Sequence, residues 1–135
     1  PPNLQALVAD DNRTNRKLLR SMLEPMGVII TEASNGVEAV AAFVDARPDV
    51  VLMDMSMPEL NGLEAATAIR QYEEHSGAPR CPIIALTANA FSQDRQNCLE
   101  AGMDDHLAKP IRKTSLVNLI AAHLTDAAHE QRSVS

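Results

Sequence analysis

Five short apolar runs set the terms for this chain: Leu4–Ala9, Val28–Ile30, Val50–Met53, Ile83–Leu86 and a brief one around His106–Ala108. Each reads as a strand. Runs that are continuously apolar, rather than alternating with polar residues, must be buried on both faces, which requires a parallel sheet covered by helices on either side. The intervening stretches have helical length and helical spacing of apolar residues: Leu18, Leu19, Met22, Leu23 and Met26, then Val37, Val40, Ala41 and Val44, and finally Leu116, Leu119, Ile120 and Leu124. Gly27 follows the first helix, Asn35-Gly36 precedes the second, and residues 77–82 form a loop after the third. The order is therefore (βα)5, an α/β three-layer sandwich around a five-stranded parallel sheet.

With 135 residues, of which 45% are hydrophobic, the chain can bury one sizeable core. The stretch from Phe91 to Ala101 carries the weakest apolar stripe and is expected to be loosely held. From Asp126 the residues turn polar without periodicity, so the reading is a domain over 1–125 and a polar C-terminal tail or linker over 126–135. A chain opening on Pro1-Pro2 without Met is expected to be a segment of something longer.

A formal charge of −6 argues against direct binding to nucleic acid or to an anionic membrane, since both would repel it. No apolar run approaches the roughly 18 residues that span a bilayer, and no export signal opens the chain. A cytoplasmic location is expected. Cys81 and Cys98 stand apart from each other and from any Cys/His cluster, which favours reduced structural thiols over a disulfide or zinc site.

In a sheet of this kind, ligands gather at the carboxyl ends of the strands. There the sequence places Asp10-Asp11 after the first strand, Asp54 at the end of the third, Thr87 at the end of the fourth and Lys109-Pro110 after the fifth. Singly, each has an ordinary explanation: an acid capping the next helix, a Thr suited to a strand, a solvated loop Lys. Jointly, they put three carboxylates, one hydroxyl and one ammonium on one edge. Two like charges about 4 Å apart cost roughly 4 kcal/mol at an effective dielectric of 20, so the cluster calls for compensation. A hard divalent cation supplies it through oxygen ligands, which makes Asp54 usable as a nucleophile towards a phosphoryl group. Lys109 and the Thr87 hydroxyl are donors suited to the equatorial phosphoryl oxygens.

Four segments, VADDN at 8–12, VVLMDMSMPELNGLEA at 50–65, IIALTANA at 83–90 and AGMDDHLAKPI at 101–111, resemble the receiver, or response-regulator, family of two-component signalling. The similarity runs from about Leu4 to Leu124, and at a finer level it resembles receivers of hybrid histidine kinases. The resemblance implies the flavodoxin-like (CheY-like) fold and a phosphorelay role without enzymatic turnover of an external substrate. It implies Asp54 as phosphoacceptor, Asp11 as direct ligand and Asp10 as water-mediated partner of Mg2+ or Mn2+, with Ser56 contributing its backbone carbonyl. Thr87 resembles the switch hydroxyl and Lys109 the phosphoryl-pairing cation, aimed into the site by a cis peptide to Pro110. Pro58 and Gly62 look like the turn leading into the third helix.

The family implies a histidine kinase or a histidine phosphotransfer protein as donor, and a monomer or weak homodimer. It also implies an output surface formed by the helix over 91–101, the fifth strand and the last helix. One position departs from the commonest pattern: nineteen residues after Thr87, where the family usually has Tyr or Phe, stands His106. A half-covered strand residue and a switch residue are equally good readings of it. His75, His123 and His129 read as surface or tail residues.

Rival functions fit less well. A flavin carrier needs a hydroxyl- and glycine-rich phosphate turn after the first strand, where this chain has Asp-Asp-Asn, and aromatics to flank the ring, whereas Trp is absent. An aspartyl phosphohydrolase needs a second acid/base residue two positions past the nucleophile, where Ser56 stands. A docking-only receiver would lack phosphorylation residues that are all present here.

Overall fold

Parity along the strands decides the layers. Leu7, Ala9, Val51, Met53, Ile83 and Ala85 pack on one side with Ala39, Phe43, Ala65, Ala66 and Ile69. Their neighbours Ala6, Val8, Val50, Leu52, Ile84 and Leu86 pack on the other with Leu19, Leu23, Leu116 and Ile120. Successive strand residues point to opposite faces, so a run with no polar position feeds both cores at once.

The structure, a computed structural model, describes residues 4–55, 61–87, 96, 99–109 and 111–134, and in the last of these segments the side chains up to His123. In chain order come β1 (Gln5–Ala9), α1 (Arg13–Leu23), a 3-10 turn (Glu24–Met26), β2 (Ile29–Ala33), α2 (Gly36–Ala46), β3 (Val50–Asp54), α3 (Gly62–Ser76), β4 (Ile83–Thr87), β5 (Asp105–Ala108) and α4 (Lys113–Val134). All pairings are parallel, in the order β2-β1-β3-β4-β5. The α/β sandwich is as the apolar runs require. Because the order turns back between β1 and β3, the carboxyl ends of those two strands flank the switch point, where open α/β sheets bind ligands.

Three helices start on an Asn whose side chain accepts backbone N–H groups: Asn12 for α1, Asn35 for α2 and Asn61 for α3. Asn61 and Glu64 complete a reciprocal capping box, which fixes where the chain re-enters helix after β3. At α3's first residue, Gly62, a Cβ would overlap the Asp54 carbonyl oxygen and lie 2.9 Å from the Met55 Cα. Only glycine lets the helix start this close to the end of β3.

The strands differ from expectation at the sheet edges. β2 starts at Ile29 and continues through Thr31 and Glu32 to Ala33, where the apolar run suggested a strand ending at Ile30. As an edge strand it has one side to solvent, and Ile29 is 48% exposed, so its polarity is no obstacle to pairing. The segment read as a tail also departs from expectation, since α4 runs to Val134. Ala127, Ala128, Glu130, Gln131 and Arg132 are strong helix formers, a propensity that apolar periodicity does not reflect. The helix expected over 91–101 falls largely outside the described residues.

Cys81 is a buried free thiol, its Sγ 3.3 Å from the Pro48 carbonyl oxygen, as a structural cysteine should be. Cys98 lies outside the described residues. Among the described residues, no helix is long and apolar enough to cross a membrane.

Candidate functional site

The carboxyl edge of the sheet assembles the site from four strands. Asp10 follows β1, and its N–H donates to the Ala33 carbonyl on β2 at 3.0 Å. Asp54 is the last residue of β3 and lies in register with Leu86, next to the end of β4 at Thr87. Lys109 follows β5, its N–H donating to the Thr87 carbonyl at 2.7 Å. Ladder hydrogen bonds therefore bring residues from distant parts of the sequence to one rim.

The side chains converge there. Carboxylate oxygens of Asp10, Asp11 and Asp54 all lie within 4.8 Å of one another. Asp10 and Asp54 are buried, at 0% and 3% exposure, while Asp11 is exposed and opens the cluster to solvent. Lys109 Nζ donates to Asp54 Oδ1 at 3.2 Å and sits 3.4 Å from Asp10 Oδ2, an ion pair without hydrogen-bond geometry. Burial pulls the ammonium's pKa down, but the charges of Asp10 and Asp54 outweigh it and hold Lys109 above its ordinary value. Lys109 is thus firmly cationic.

Three carboxylates against one ammonium leave a formal charge of −2, which one divalent cation cancels. The donor set is all oxygen, and it suits a hard cation that takes one or two carboxylates and keeps several waters. Asp10 Oδ2 meets Lys109 only as an ion pair, and the buried Thr87 Oγ1, on the last residue of β4, has no hydrogen-bond partner among the described residues. Buried polar groups are ordinarily satisfied, so a buried hydroxyl without a partner at the end of β4 leaves a donor for an incoming group. The residues present fit a Mg2+-like ion.

Asp10, Asp11, Asp54 and Lys109 are therefore close together in space, and the backbone of Thr87 lies on the same rim. Ser56, Pro58 and Pro110, and with them the backbone ligand and the cis peptide, lie outside the described residues. His106 is the second residue of β5, in register with Ala85; it is half-buried, with Nδ1 3.8 Å from Asp105 Oδ1. His75 is on the surface as expected, its Nδ1 2.8 Å from the Gln71 carbonyl oxygen. His123 is more than a surface residue: its Nε2 lies 3.2 Å from Asp105 Oδ2 and ties α4 to β5. The side chain of His129 lies outside the described residues.

Sequence reasoning passed over two arginines. Arg16 on α1 donates from Nη1 to the Asp10 carbonyl at 2.7 Å. Arg70 on α3 donates to the carbonyls of Gly102 and Cys81 and to the carboxylates of Glu73 and Asp104, at 2.7–2.8 Å. A helical Arg gives no hint of a partner on another element; the only signal was a basic residue one turn past the Asn that caps α1.

Known proteins share this fold. The model of the response regulator receiver domain matches residues 6–121. Hybrid signal transduction histidine kinase I of Dictyostelium discoideum is 39% identical over 136 residues, covering 97% of this chain but only 8% of the kinase. The receiver domain of sensor histidine kinase PA1611 from Pseudomonas aeruginosa, solved with magnesium coordinated in its active site cleft, superposes with a TM-score of 0.82 at 38% identity, over 91% of this chain and 98% of that one. The receiver domain of Saccharomyces cerevisiae Ssk1, crystallised with the histidine phosphotransfer protein Ypd1, gives 0.83 at 32% identity, over 88% of this chain and 87% of that one.

Proposed function

The chain belongs to the response regulator receiver family of two-component signalling, and on that premise we propose that Asp54 accepts the phosphoryl group with Mg2+ held by Asp10, Asp11 and Asp54. The observation that carries the reading is the convergence at the β1/β3 switch point: three carboxylates within 4.8 Å and an ammonium 3.2 Å from one of them.

The donor is a phosphohistidine on a histidine kinase or a phosphotransfer protein, the latter being the partner class seen with the Ssk1 receiver. An oxygen of the Asp54 carboxylate attacks phosphorus, the N–P bond of the donor breaks, and its electron pair returns to the imidazole. The cation, when bound, neutralises carboxylate and phosphoryl charge together. Lys109 shields the Asp54 charge before transfer and pairs with a phosphoryl oxygen after it. Thr87 holds a buried hydroxyl in reserve, and the arriving phosphoryl group is the acceptor it lacks. Inward movement of Thr87 and Lys109 then alters β5, where His106 occupies the usual aromatic position and the Asp105–His123 contact joins α4.

The segment acts in the cytoplasm as one part of a longer protein of the hybrid-kinase kind, with the receiver ending near residue 125, past the end of the family match at 121, and α4 continuing beyond it. Intact mass after incubation with acetyl phosphate tests the acceptor reading. A single added phosphoryl group is expected, dependent on Mg2+ and absent in Asp54→Asn; uptake undiminished in that variant would overturn the assignment.

A further inference from the structure

The two aspartates that open the site are joined by one peptide unit, and that peptide is held from outside the site. The Asp10 N–H is bonded to Ala33, and its Oδ1 accepts the Asn12 N–H at 2.9 Å. Its carbonyl accepts Arg16 Nη1 at 2.7 Å. With those three points fixed, Oδ2 is the oxygen left to face Lys109 and the cluster.

Arg16 is itself oriented. Its Nε donates to Glu32 Oε1 at 2.8 Å, and the other oxygen of Glu32 accepts Nε and Nη2 of Arg20 at 2.9 and 2.7 Å. Glu32 stands on the edge strand β2 in register with Val8, two residues before Asp10. The side chain of Arg16 is 16% exposed, so the guanidinium spans from the sheet edge to the Asp10–Asp11 peptide under partial cover. A planar fork with several fixed donors can hold both ends of such a bridge at once, which a lysine cannot.

We propose that Arg16, braced by Glu32, is a positioning residue that orients the Asp10–Asp11 peptide and so sets the affinity of the site for its divalent cation. This rests on the metal-binding reading of the site. Charge and positioning pull in opposite directions here. Deleting a positive charge near an acidic cluster strengthens cation binding, whereas releasing the peptide weakens it.

The test is Mn2+ affinity of the phosphate-free protein, followed by the electron paramagnetic resonance signal of free Mn2+, with far-UV circular dichroism melts alongside. Arg16→Met should weaken Mn2+ binding roughly tenfold, the usual size of an outer-shell effect on a metal site. Arg20→Met removes the same charge and an ion pair to the same Glu32 but leaves the Asp10 carbonyl bonded; its affinity should be unchanged or slightly tighter. Should Arg16→Met not fold, Arg16→Lys keeps the charge without the fork and carries the same expected weakening. Unchanged or tighter binding in the Arg16 variant, or equal weakening in both, would overturn the positioning role. Failure of the unaltered protein to bind Mn2+ at all would instead overturn the metal site on which it rests.

Discussion

Thr87 offers a case in which function and stability should part. Its side chain is buried, at 3% exposure, and its hydroxyl oxygen has no partner among the described residues. A buried, unsatisfied hydroxyl costs on the order of 1–3 kcal/mol. Thr87→Val keeps the branched shape, suits a strand and removes the orphan atom, and the added methyl contributes up to about 0.8 kcal/mol of burial. Taking the low end of the hydroxyl cost with the methyl gain, the variant should be more stable than the parent by about 1–2 kcal/mol in the unphosphorylated, metal-free state. For a domain of this size that corresponds to a rise of roughly 3–8 °C in Tm. The single Tyr and absent Trp make fluorescence a poor probe, so far-UV circular dichroism in EDTA is the assay. With phosphodonor and Mg2+ the order should narrow or invert, because only Thr87 gains a phosphoryl partner. A variant less stable than the parent in EDTA would show that the hydroxyl already has a partner, and the account of it as a reserved donor would fail.

Three other perturbations probe the scaffold. Gly62→Ala forces a Cβ onto the Asp54 carbonyl oxygen and against Met55, both backbone atoms that cannot yield; overpacking of about 3 kcal/mol less a helix-propensity gain of up to about 1 leaves a loss near 2 kcal/mol in urea unfolding, and an unchanged midpoint would refute the close approach. Arg70→Met strips the donors from Glu73, which is buried at 6% exposure, and from Asp104, Cys81 and Gly102, and should cost roughly 3 kcal/mol by the same assay. The Glu32 carboxyl is held below its ordinary 4.5, first by the Arg20 hydrogen bond and against the pull of burial. Its stabilising share is present above that value and fades as pH falls through the lowered one, so Glu32→Gln should flatten the acid loss of stability below about pH 4.5, and an unaltered acid limb would count against the pairing.

What the sequence revealed, and what it hid, follows from where each residue finds its partners. β1, β3 and β4 are buried on both faces, so their apolar runs were unambiguous, and the polar residues that end them, Asp54 and Thr87, were conspicuous for breaking the pattern. β2 blurred because an edge strand tolerates Thr31 and Glu32. α4 outran its apolar stripe, and Ala127 and Ala128 have the helix propensity to continue it. The carboxylates were legible because strand ends of a parallel sheet share a rim. Arg16, Arg70 and His123 were not, since each takes its meaning from a carbonyl or carboxylate on another element that only the fold brings near.

The central claim is that the phosphoryl group resides on Asp54, and it can be located chemically. An acyl phosphate is reduced by borohydride to the corresponding alcohol, so treating the Mg2+- and acetyl phosphate-loaded protein converts the acceptor aspartate to homoserine, which peptide mass spectrometry then places. Homoserine at position 54, and at no other aspartate, is the expected result. Homoserine at position 10 or 11, or a phosphoryl adduct that borohydride leaves intact, would contradict the account.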